Sequence, residues 1–195
     1  MIQSPEYWAE IQKLMGHDFY RQHKDRTTAY IDHFVQHVPL TDGILEIGGY
    51  PGLLLGALRQ AGYLFLTSID SPKYRPQIYL DWCKDHYILS IEHDICNGAL
   101  PINVRFDTAI MSDVLLHIEG FPLEFIKWTV QHCGQLILIN FPGQAMVVTA
   151  PKSHSLDIGF SLPSSEVIGD AIKDFAKIVK EVKIVDRILL VIKAN

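Results

Sequence analysis

The chain has 195 residues, 48% of them hydrophobic, which is enough for one well-filled core and too many for a disordered segment. Its formal net charge of −5 gives no basic field to hold a phosphate backbone, and no stretch approaches the roughly 20 apolar residues of a membrane span, so nucleic-acid and membrane partners are not expected. Cys83, Cys96 and Cys133 are widely spaced without a Cys-x-x-Cys pair, and no basic-then-apolar leader follows Met1, a pattern that reads as reduced thiols in a soluble cytoplasmic protein.

Residues 5–15 and 27–38 carry apolar side chains at helical spacing, the second as Tyr30, Ile31, Phe34, Val35 and Val38. They form a helical preface over about 1–40, which Pro39 and Gly43 set off from the rest of the chain. A strand is predicted over 44–47, then a Gly/Pro-rich turn, a helix over 53–60 stopped by Gly62, and an apolar run over 63–69 ending at Asp70, together a βαβ unit. A short helix over 76–83 leads to a third strand over 88–91 ending near Asp94, and a fourth over 108–111 ends near Asp113. A helix over 123–132 runs into a strongly apolar fifth strand over 135–140. After a loop over 141–163 rich in Pro, Gly, Ser and Thr, Ser164 or Ser165 caps a helix reaching about residue 175, and 177–185 and 187–193 read as two last strands. Strands that alternate with helices predict an α/β fold with a parallel sheet covered on both faces, and the absence of repeats, charge blocks or a long linker predicts one domain over 1–195.

Four of these strands end in or beside an acid: Glu46, Asp70, Asp94 and Asp113. In open sheets of this kind ligands bind beyond the carboxyl ends of the strands, so these ends are where chemistry is expected. The first strand feeds Gly48-Gly49-Tyr50-Pro51-Gly52, a turn whose glycines let the backbone approach a ligand while the next helix offers unpaired N–H groups. A dinucleotide fingerprint would need glycine at 50 and 53, where Tyr50 and Leu53 stand, so a nicotinamide cofactor is excluded.

With an acid two residues ahead of the first glycine, the segment Glu46, Gly48, Tyr50, Gly52 resembles the first motif of the class I S-adenosylmethionine-dependent methyltransferases, E-x-G-x-G-x-G, with tyrosine at the middle glycine and Gly49 beside it. The resemblance extends over about 44–140. His93 to Pro101 is similar to the family's segment of Gly-Asp, apolar residues and Leu-Pro, with His93 where glycine is common. Phe106 to Ile118 is similar to its fourth-strand pattern, with Asp113 for the usual Glu. This resemblance implies a Rossmann-like, doubly wound, mostly parallel seven-stranded sheet with a C-terminal antiparallel hairpin and an N-terminal helical lid. It implies S-adenosyl-L-methionine as cofactor, bound by Glu46, Gly48, Gly49, Tyr50, Gly52, Asp70, Asp94, Ile95 and Asp113. Asp70 would accept hydrogen bonds from the ribose hydroxyls, a role suited to an acceptor-only carboxylate. Asp94 would accept from the adenine amino group, and Ile95 would pack on the ring. Tyr50 is expected to point its ring outward, wall the acceptor pocket and leave the tight turn to Gly49 and Gly52.

Methyl transfer from a sulfonium needs mainly positioning, exclusion of water and, for a protonated nucleophile, a base. His117, shortly after the fourth strand, is the candidate base, ahead of Asp113 and Glu119. His33 and His37 share a helix face at i,i+4, but no third ligand follows at metal spacing, so no metal is expected. Tyr20 or Arg21, between the two preface helices, is a candidate lid residue, and Lys152, His154 and Asp157 could contact a polar acceptor. Asn140-Phe141-Pro142 follows the fifth strand and lacks a second proline, unlike the motif of amino-methylating nucleic-acid enzymes. The expected activity is methyl transfer to O, N or C of a small molecule. A non-catalytic protein retaining the fold, or a methyltransferase of protein or tRNA, remains the alternative.

Overall fold

The computed structural model describes residues 5–15, 17–100, 103–117, 122–140 and 164–195, apart from the side chains of 15, 17–23, 116, 117 and 140. The strands β1 (Gly43–Ile47), β2 (Phe65–Asp70), β3 (Leu89–Glu92), β4 (Phe106–Ser112) and β5 (Cys133–Asn140) run parallel. A hairpin of β6 (Ala176–Ile184) and β7 (Arg187–Ala194) completes the sheet, with β7 antiparallel to β5. The resulting seven-stranded sheet has the order β3-β2-β1-β4-β5-β7-β6. It is therefore the mostly parallel sheet with a terminal antiparallel hairpin that the sequence predicts.

Helices α1 (Pro5–Met15), α2 (His17–His37), α3 (Leu53–Gln60) and α4 (Gln77–Asp85) supply the core on one face, through residues such as Tyr7, Phe34, Leu55 and Trp82. On the other face lie α5 (Leu123–His132) and α6 (Ser165–Ile172), with Phe125, Trp128 and Ile168 in a second core. The sheet's period-2 alternation divides β1 between them, with Ile44 facing α3 and Leu45 and Ile47 facing α5. Glu46 shares the parity of Ile44, which sends a carboxylate into the first core, where the residue is only 5% exposed.

Helix α2 starts at His17, ten residues before the start at 27 that the apolar spacing predicts. Residues 17–26 lack an apolar stripe, yet they include helix-favouring Arg, Gln and Lys and no Gly or Pro, so the helix extends by propensity. At the other end α6 stops at Ile172, short of the expected 175. Strand β5 starts directly at Cys133, the extended residue that ends α5, and so is longer than the apolar run alone predicts. The preface helices pack against the flank of α3, where Tyr7, Trp8 and Ile11 of α1 are buried. No helix among the described residues is long and apolar enough to cross a membrane.

Candidate functional site

Ile47 pairs with Ile69 on one side and Met111 on the other, so β1, β2 and β4 end level with one another. Connections leave β1 and β4 in opposite directions along the sheet, which opens a crevice between their carboxyl ends. The turn after β1 enters there. Gly48 donates its N–H to Ile69 O at 2.7 Å, and Gly52 donates to Gly49 O at 2.6 Å across the cis Tyr50–Pro51 peptide. The left-handed positions fall to Gly48, φ 71°, and Gly52, φ 91°, while Gly49 has no positive φ.

The glycines answer to protein neighbours. A Cβ on Gly48 would lie 2.5 Å from Val114 Cγ2, one on Gly49 2.6 Å from Ser68 Oγ, and one on Gly52 2.4 Å from the Trp82 ring. The sequence suggested room for a ligand, whereas at these three positions the Cβ direction is filled by the chain itself. The Tyr50 ring also departs from its expected outward direction. It meets Tyr79 edge-on, with centroids 5.3 Å apart, and packs half-buried on the α3-side core.

Below this turn lies a buried polar cluster. Asp70, 4% exposed, accepts from the Tyr50 N–H at 3.0 Å through Oδ1 and from the Ser68 hydroxyl at 2.7 Å through Oδ2. Ser68 Oγ is in turn 2.8 Å from Tyr79 Oη. The Leu55 backbone N–H in the first turn of α3 faces Glu46 and favours its charged form, while Glu46 Oε2 is buried without a partner. Burial, then repulsion from Asp70, pushes the Glu46 pKa well above its ordinary value. Burial also pushes Asp70 up, to about 6, against the lowering effects of Ser68, Tyr50 and Arg75.

An acid raised in the folded state makes the fold less stable as pH rises. With a pKa of 3.8 when unfolded and about 6 when folded, Asp70 imposes no penalty below pH 4 and its full penalty above pH 6. That penalty is about 3 kcal/mol. We therefore expect Asp70→Asn to gain about 3 kcal/mol relative to the unsubstituted chain between pH 4 and pH 7 in urea unfolding. Parallel pH curves for the two proteins would contradict the shifted carboxyl.

The other sequence candidates divide. Asp94 sits beyond β3 and caps the 3-10 turn Ile95–Asn97, its Oδ1 accepting from the Cys96 N–H at 3.0 Å, which leaves Oδ2 for other partners. Ile95 is buried in the α5-side core. Asp113, in the left-handed region at φ 55°, is held by Arg187 Nε at 2.7 Å and Arg26 Nη1 at 3.6 Å, and Asp186 binds the same two arginines. Its carboxylate thus ties α2 and the β6–β7 hairpin to the end of β4. The backbone of His117 closes the 3-10 turn Val114–His117 next to β4, but its side chain lies outside the described residues. So do the side chains of Tyr20 and Arg21, along with Glu119, Lys152, His154 and Asp157. Among the described residues no group of three or more His, Cys, Asp or Glu is placed to hold a metal ion. Sequence reasoning missed Ser68, Tyr79, Arg26 and Arg187. Only Ser68, two residues before Asp70 and so on the same face of β2, carried a signal that could have found it.

No protein-family model and no curated protein matches this sequence. Solved structures do. The chain is similar to the pyocyanin biosynthetic protein PhzM, with a TM-score of 0.68 and 11% identity over 97% of this chain and 62% of that one. It is similar to magnesium protoporphyrin IX methyltransferase ChlM from Synechocystis PCC 6803, with a TM-score of 0.68 and 17% identity over 96% of this chain and 93% of that one. A third similar structure is the glycopeptide N-methyltransferase MtfA, with a TM-score of 0.63 and 12% identity over 87% of this chain and 89% of that one. The chain spans about three fifths of the length of PhzM. The fold is that of the class I S-adenosylmethionine-dependent methyltransferases, as the resemblance in the motifs implies.

Proposed function

We propose that this chain binds S-adenosyl-L-methionine and transfers its methyl group to a small-molecule acceptor in the cytoplasm, as one domain over 1–195. The observation that carries this reading is the placement of the Gly48–Gly52 turn at the crevice between β1 and β4 with Asp70 directly beside it. The polar groups suit a nucleoside. An ionised carboxylate has about four lone-pair sites, and Asp70 uses one on each oxygen, which leaves acceptors for a cis-diol. Asp94 Oδ2 is an acceptor at the next strand end, in reach of the role its motif implies. Gly48, exposed at the crevice, presents backbone without a side chain. Glu46 faces the first turn of α3 from the end of β1.

The cofactor supplies an activated methyl on sulfur, so the chain's own task is to hold, orient and keep water out. His117 is the proposed proton acceptor for a protonated nucleophile. The names of ChlM and MtfA, which act on magnesium protoporphyrin IX and on a glycopeptide, support a small acceptor. Calorimetry with S-adenosylmethionine and S-adenosylhomocysteine tests the reading. Saturable binding of both is expected, and binding of neither removes it.

A second reading, a non-catalytic protein that kept the fold, is favoured by one feature: the Tyr50 turn lies across Asp70, and the Tyr50 ring rests on Tyr79. Tyr50→Gly separates the two. For a methyltransferase, the substitution should leave S-adenosylhomocysteine affinity within a few-fold, because the backbone N–H that meets Asp70 is retained. A large gain in affinity would mean that Tyr50 obstructs the site, and would favour the second reading.

A further inference from the structure

The contacts around Asp70 have a direction. An ionised carboxylate only accepts, so the single hydroxyl hydrogen of Ser68 is committed to Asp70 Oδ2 at 2.7 Å. At the 2.8 Å contact between Ser68 Oγ and Tyr79 Oη, the donor must then be Tyr79. Tyr79 is fully buried and fixed by its neighbours, with Trp82 stacked at 6.1 Å and Tyr50 edge-on at 5.3 Å. Ser68 is also fully buried, so water cannot replace either hydroxyl. On its other oxygen Asp70 takes the Tyr50 N–H, the backbone of the glycine turn itself.

We propose that Ser68 and Tyr79 are positioning residues for nucleoside binding: a one-way relay, Tyr79 O–H to Ser68 and Ser68 O–H to Asp70, fixes the Asp70 carboxylate against the Tyr50 amide. Neither residue needs to touch the ligand. The relay keeps Asp70 oriented with its remaining lone pairs available, and it stabilises the charged form that a ribose diol requires. Other ionisable groups facing the cluster are Glu46 on β1, which repels the charge, Cys83 on α4, and Arg75 after β2, which attracts it. The role of the relay in binding rests on the methyltransferase reading, while its effect on Asp70 holds with or without a ligand.

The test compares the unsubstituted chain with Ser68→Ala, Ser68→Thr and Tyr79→Phe. Urea unfolding between pH 4 and pH 8, without ligand, follows the charging of Asp70. Loss of the Ser68 donor should move the upper end of that titration to higher pH, Tyr79→Phe should move it less, and Ser68→Thr should restore it. Calorimetry with S-adenosylhomocysteine at pH 6.5 and pH 8.5 gives the second reading. Ser68→Ala should bind at least tenfold more weakly at pH 6.5 and recover most of the loss at pH 8.5. Unshifted titration in both Ser68→Ala and Tyr79→Phe, or an equal loss at both pH values that threonine fails to rescue, overturns the relay. If the unsubstituted chain binds no S-adenosylhomocysteine, the methyltransferase reading and the relay's role in binding fall together, and the unfolding curves still decide whether the relay acts on Asp70.

Discussion

Asp70→Ala should weaken S-adenosylhomocysteine binding by about 30-fold or more at pH 8, which corresponds to about 2 kcal/mol of lost charge-assisted hydrogen bonding. The pH is chosen above the Asp70 pKa of about 6, where the unsubstituted carboxylate is ionised and a diol gains most from it. Two opposing effects keep the change in stability small. Alanine leaves the Tyr50 N–H and the Ser68 hydroxyl without their acceptor, at a cost of about 1–3 kcal/mol each if they remain buried. It also removes a buried charge that repels Glu46. Asp70→Asn separates these effects, because its amide oxygen can still accept from Tyr50 while the charge is gone. Its affinity should fall between those of the unsubstituted chain and Asp70→Ala. Unchanged affinity in Asp70→Ala, with a native circular dichroism spectrum, would remove Asp70 from the site.

Much of this arrangement was legible because it is local in sequence. The first four strands overlap the segments that the sequence predicts for them, and Leu53–Gln60 coincides with the helix predicted after the first strand because Gly52 and Gly62 bracket it. The acid at the end of each strand could be read from pattern alone. What each acid does could not, since that depends on partners far along the chain. Asp113 meets Arg187 across 74 positions, and no periodicity links them. Tyr79 reaches Ser68 from another element, so the relay exists only once α4 is docked on β2. The glycine turn shows the same limit. Its glycines were readable as a demand for small residues, but the object that makes the demand, Trp82 at one position and Ser68 at another, is set by tertiary packing. Gly49 and Pro51 beside Tyr50 favour an outward ring in the sequence, because they can redirect the turn, but the stacked Tyr79 and Trp82 give the ring an apolar seat that only packing reveals.

Gly52→Ala should destabilise the chain by about 2–4 kcal/mol, a large effect for the addition of one methyl group. Part of it is backbone: at φ 91° an L side chain crowds its own carbonyl, a cost of about 1–2 kcal/mol. The rest is packing. The new Cβ would lie 2.4 Å from Trp82 Cζ3 and 2.7 Å from Cη2, closer than any real contact. The indole cannot yield easily, because it stacks on His86 at 4.4 Å and on Tyr79 at 6.1 Å and is 7% exposed. Moving the turn instead would pull Tyr50 from Asp70, so affinity for S-adenosylhomocysteine should fall together with stability. A double-mutant cycle with Trp82→Leu isolates the collision, since a smaller side chain makes room for the methyl group. The cost of Gly52→Ala should shrink to its backbone part in that background. Additive costs would show that Trp82 does not hold the turn, and that the glycine is required by φ alone.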